Sequence, residues 1–130
     1  MSTIPSFTLT PQIDIQQIST ANANRDGTGT VATLATGAAS PNFLKVKQII
    51  VKAQATTTTG MIRFFLHDGT SFRLLHEMTV TAFTPSATVA AFEDTWVCPD
   101  DLILPSASWS IRVSTEKAET FNVHALSAKF

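Results

Sequence analysis

The feature that most restricts what this chain can fold into is its punctuation. From Pro11 onward, short β-branched and aromatic runs are cut by clusters of Gly, Pro, Asn, Asp and Ser, and no segment holds a helical apolar period beyond two turns. The runs predict strands over residues 12–20, 29–36, 43–54, 61–67, 72–82, 87–97, 108–114 and 120–127. The segments between them include "NANRDGTG", "TGAASPN", "HDGTS", "PDDLILPS" and "TEKAE". Short strands at this spacing specify an all-β fold, a single β-sandwich or jelly-roll-like domain. At 130 residues the chain makes one domain that buries roughly two-thirds of its unfolded surface, so it needs no covalent staple. The only internal recurrence is Asp-Gly-Thr at 26–28 and 68–70, which is turn chemistry.

The opening "MSTIPSFTLT" has a different character. It alternates Ile, Phe and Leu with small polar residues and carries Pro5, with Pro11 following, so it is extended but unsuited to the centre of a sheet. Residues 1–11 are therefore expected to form an extended N-terminal arm on a sandwich of residues 12–130. Ten extended residues reach roughly 33 Å, enough to lie across a neighbouring subunit. A frayed terminus or an edge strand tucked onto its own domain is the plainer reading.

Residues 64–80, "FFLHDGTSFRLLHEMTV", gather two histidines, an aspartate, an arginine and a glutamate. Alternation reads this stretch as a hairpin. An odd loop, Asp68-Gly69-Thr70, sets Leu66 opposite Phe72 and Phe64 opposite Leu74 and keeps one continuous apolar face. His67 then points outward and His76 inward, so the two imidazoles cannot share a metal unless a bulge intervenes. Arg63 and Glu77 fall on the outer face.

Other chemical motifs are weaker. "STEK" at 114–117 matches Ser-x-x-Lys but lies between two strands, where the lysine is not one helical turn from the serine, and Glu116, Lys117 and Glu119 read as a solvated tip. "DGTGT" lacks the Gly-Lys-Ser/Thr of a phosphate loop and the further acids of a calcium loop. Trp96 and Trp109 suit either core packing or a sugar platform. No nucleophile, base and orienting group come together, so the expectation is a non-enzyme with no catalytic, cofactor-binding or metal-ligating residues.

Charge narrows the partners. Nine basic and ten acidic side chains give a net charge of −1 without any run of one sign, which disfavours nucleic acid. No segment approaches a membrane span or a signal peptide. The lone Cys98 suits assembly in a reducing cytoplasm. Charged residues make up only 15% of the chain against a usual 25% or so. Such a surface is either meant for covering or kept soluble by its many hydroxyls.

Three blocks, "NANRDGTGTVATL" at 22–34, "TTTTGMIRFFLHDGTSFRLLHEMTVTAFTPSATVAAFE" at 56–93 and "IRVSTEKAETFNVHA" at 111–125, resemble small structural proteins of tailed phages and prophages. The resemblance implies a virion component. Combined with the compact low-charge sandwich, it leads to a capsid decoration (cement) protein on the capsid surface, assembled in the host cytoplasm. Its partners would be the major capsid protein and further copies of itself, a trimer at a threefold junction being one arrangement. Ile4, Phe7 and Leu9 of the arm, with Ile13 and Ile15 beyond it, are the expected contact residues, although all five also suit the domain's own core. A tail, baseplate or head-fibre adaptor and a glycan-binding sandwich are the alternatives.

Overall fold

The computed structural model describes residues 10–130, which form nine strands: β1 Thr10–Ile18, β2 Ala32–Thr36, β3 Leu44–Ala53, β4 Gly60–His67, β5 Phe72–Val80, β6 Glu93–Val97, β7 Ile103–Leu104, β8 Ser110–Thr115 and β9 Phe121–Lys129. One sheet runs β1-β9-β3-β6, with the two-residue β7 attached to β3, and the other runs β2-β8-β4-β5. The pairing is nested. β4 pairs with β5, β3 with β6, β2 with β8 and β1 with β9, all antiparallel. A long hairpin of this kind, rolled up so that β9 also meets β3 and β8 meets β4, is a jelly roll.

Alternation builds the core. In β9 the odd residues Phe121, Val123 and Ala125 are fully buried while Asn122, His124 and Leu126 turn outward. Val46, Ile49 and Val51 of β3 lie beside them in the same sheet, and Ile62 and Phe64 of β4 with Ile111 and Val113 of β8 meet them across the sandwich. Each such side chain contributes roughly 1.5–3 kcal/mol by leaving water.

Three expectations need correction. The segment taken as a strand over 87–97 is strand only from Glu93, and residues 81–92 form a loop. "PDDLILPS" holds the short β7, whose Leu104 is fully buried. The hairpin register also differs: His67 lies opposite Phe72 and Leu66 opposite Arg73, so the loop is Asp68–Ser71. Asp68 organises that loop, its Oδ1 accepting from the N–H groups of Ser71 and Thr70 and from the Thr70 hydroxyl at 2.7, 2.9 and 3.0 Å. These bonds hold the Asp68 carboxyl down to about 2.

A bulge between Phe64 and Phe65 restores the core parity, so that Phe64 faces His76 and Ile62 faces Met78, while Phe65 pairs with Leu74 on the outer face. That face is not left bare. Gly27 packs so closely on Phe72 that a Cβ there would sit 2.3 Å from the Phe72 Cβ, and its φ of +90° is open to glycine. Asn22 secures the covering segment, donating through Nδ2 to the carbonyls of Thr28 and Thr30, both at 2.9 Å, and Arg25 pairs with Glu77. The Asp-Gly-Thr at 26–28 is an Asx turn like that at 68–70: Asp26 Oδ1 accepts from the Thr28 N–H at 3.0 Å.

Candidate docking face

The polar residues that drew notice in the sequence resolve into structural roles. His76 lies inside the sandwich, stacked on Trp96 at 4.1 Å with the rings 4° apart, whereas His67 stands on the outer face beside Phe72. The two imidazoles are on opposite faces despite the bulge. Among the described residues no three His, Cys, Asp or Glu side chains are placed to hold a metal. Ser114 is buried in β8, and Lys117 lies over Gly60 at the other side of the turn. Glu119 is not the solvated tip the sequence implied, because its Oε2 accepts from the Thr58 N–H and hydroxyl at 2.9 and 2.8 Å and ties two loops together. Burial pushes the Cys98 thiol up to about 11, which makes it inert. Trp96 and Trp109 are both partly buried and pack against the core, as the core reading of the sequence expected.

Burial also lowers the His76 pKa, with Asp94 and Glu77 acting in the opposite direction. An unfolded chain takes that proton near pH 6.5 and the folded one resists it, so the His76 contribution to stability is complete above about pH 6.5 and is lost as pH falls toward the depressed folded value. Thermal melts between pH 7 and pH 5 are expected to show a fall in midpoint that is smaller for His76→Gln. Equal falls for the two proteins would contradict this assignment.

The functional surface lies on the other sheet. Ile13 and Ile15 of β1 are 67% and 70% exposed, so they are not core residues, and Val97 of β6 is 72% exposed. Register aligns them. One row across the outer face of β1-β9-β3-β6 is Ile13, Leu126, Gln48, Val97; the next is Ile15, His124, Ile50, Thr95; the third is Gln17, Asn122, Lys52, Glu93. The third row is polar and internally tied: Gln17 Nε2 donates to Gln54 and Asn122 at 2.9 and 3.1 Å, and Lys52 reaches the Ala91 carbonyl at 3.0 Å and Glu93 at 3.9 Å. In the first two rows the only titratable side chain is His124. Shallow depressions flank the isoleucines, one floored by Leu126 and Lys47, the other by Asn122 and His124.

Strand spacing gives the two apolar rows roughly 260 Å², close to the size of the largest apolar patch on an ordinary monomer. The outer face of the β2-β8-β4-β5 sheet is covered by the chain's own 22–31 segment; this one is not covered by any described residue. Thr10 and Pro11, read as the end of the arm, pair with Lys129 and Ala128 as the start of β1. Ile4, Phe7 and Leu9 lie outside the described residues. The sequence signal for Ile13 and Ile15 was their period-two alternation; Leu126, Ile50, Val97 and His124 were missed.

No protein-family model matches the sequence, and no curated protein does. Among solved structures, the chain is similar to one from the virus-like particle of the extra small virus of the giant freshwater prawn Macrobrachium rosenbergii, with a TM-score of 0.43 and 14% identity over 98% of this chain and 82% of that one. It is also similar to a chain of the T13 particle of infectious bursal disease virus (TM-score 0.48, 10% identity, 96% of this chain and 32% of that one). A third likeness is to the Clostridium thermocellum xylanase 10B with its CBM22-1 and GH10 modules (TM-score 0.32, 9% identity, 90% and 25%). The chain spans a third or less of the last two. These likenesses concern the β-sandwich alone and transfer no residue or activity. By its own strand topology the molecule is an all-β jelly roll with one outer face covered by its own chain and the other bare among the described residues.

Proposed function

We propose that this chain is a structural component of a virion, a capsid decoration protein that seats the outer face of its β1-β9-β3-β6 sheet on subunits of the capsid shell. The observation that carries the reading is that face: two neutral, mainly apolar rows spanning four strands of a rigid sheet, bordered by Lys47 beside the first row and by the charges of the third. Jelly rolls serve chiefly as capsid, lectin and cupin domains. A cupin needs an open interior with metal ligands, and here Phe64, Ile111 and Phe121 fill it. A lectin would use freely exposed tryptophans, and here both are partly buried against the core. The capsid use fits what remains, as a fold-level analogy given physical content by the face.

A neutral face seeks a neutral, apolar partner surface, here that of the major capsid protein. Its roughly 260 Å² is about a third of what each partner buries in a standard interface, so one contact alone binds weakly. The residues before β1, with Ile4, Phe7 and Leu9, supply the additional contact as an arm, and repetition over a lattice supplies avidity. Binding only the assembled shell stabilises that shell by mass action. The test is quantitative mass spectrometry of purified particles. A copy number near that of the major capsid protein, or a simple fraction matching lattice junctions, is expected; a few copies per particle, or none, would overturn the decoration reading.

A further inference from the structure

We propose that docking through this face is gated by protonation of His124, and that the partner surface opposite it is uncharged. The inference rests on the docking reading above and adds its regulation. His124 stands in β9 between Ile15 of β1 and Ile50 of β3 and is partly exposed. From β1 only Ile13, Ile15 and Gln17 share its face, and Asp14 points to the inner side. From β3 the nearest charge is Lys52, diagonal to His124 and engaged with the Ala91 carbonyl and Glu93 of β6. Lys47 stands beyond Leu126, and residues 1–9 contain no titratable side chain. No carboxylate of this sheet is therefore set directly opposite the imidazole.

A face covered by an apolar surface excludes water from His124. The neutral ring tolerates this with one hydrogen bond, but an imidazolium there would be a buried charge without a counterion, which is strongly disfavoured. The bound state therefore holds the ring neutral, and acid, which favours the charged ring in the free protein, opposes docking. Acid must weaken docking. A partner carrying a carboxylate opposite His124 would reverse the sign.

The experiment is co-sedimentation of the full chain with particles built from the major capsid protein at pH 7.5 and 5.5, with near-ultraviolet circular dichroism at both to show the fold intact. Wild type is expected to lose affinity in acid, and His124→Gln to bind alike at both values. Wild-type affinity that is flat or rises in acid overturns the gate, as does the same acid loss in His124→Gln. Failure of wild type to bind at pH 7.5 instead overturns the docking reading, and the gate with it, so the two failures are told apart.

Discussion

Replacing Ile13 and Ile15 together by aspartate is expected to abolish docking while leaving the sandwich folded. Both side chains are more than two-thirds exposed in the free protein, so folding loses little with them, on the order of 1 kcal/mol including the poorer strand propensity of aspartate. Docking loses much more. Covering an isoleucine contributes roughly 1.5–3 kcal/mol, and the variant would have to desolvate two carboxylates against an apolar surface. Even the lower figure for both residues, about 3 kcal/mol, exceeds a hundredfold in affinity. Co-sedimentation with particles reads the docking, and a thermal melt of the same preparation reads the fold. Undiminished binding would move the docking surface elsewhere, to the loop end where Phe83 and Val89 are also exposed.

The isoleucine pair was legible because "QIDIQQI" follows a proline and alternates with a strict period of two, so one side of that strand must be apolar whichever way it faces. Which way it faces was not legible. Ile13 and Ile15 stand outside because Gln12, Asp14 and Gln16 turn inward at the sheet edge, where Gln16 donates to the Thr33 carbonyl at 3.1 Å. The rest of the face depends on β1 meeting β9, β9 meeting β3 and β3 meeting β6, pairings between residues far apart in sequence that leave no local trace. Val97, inside "TWVC", reads as part of a buried run, and His124 reads as an isolated histidine. Strand existence was legible for the opposite reason: β-branched content and turn chemistry are local. The two-residue β7 carries too little of either, and the Val89–Phe92 run has strand composition yet lies in a loop because no neighbouring strand takes it up.

The same distinction produces the largest expected stability effect, at Phe65. Simple alternation puts it outside, since Phe64 is in the core, and it does face away from the main core; yet it is fully buried. The bulge turns Phe72 and Leu74 to the same side, Arg112 lies 5.7 Å over the Phe72 ring, and the segment anchored by Asn22 and Gly27 lies against Phe72. A second, smaller apolar cluster therefore exists on the outer face of the β2-β8-β4-β5 sheet. Phe65→Ala is expected to cost about 3–5 kcal/mol, as much as Phe64→Ala in the main core, out of a total of about 5–15 kcal/mol for a domain of this kind. Leu74→Ala, on the same face but 37% exposed, should cost under about half as much. Urea midpoints of the three variants measure this. A loss below about 1 kcal/mol for Phe65→Ala would mean that the covering segment is not packed on the sheet. Faster hydrogen exchange confined to residues 22–31 in that variant would identify the segment as the part released, because the main core beneath the sheet keeps its own contacts.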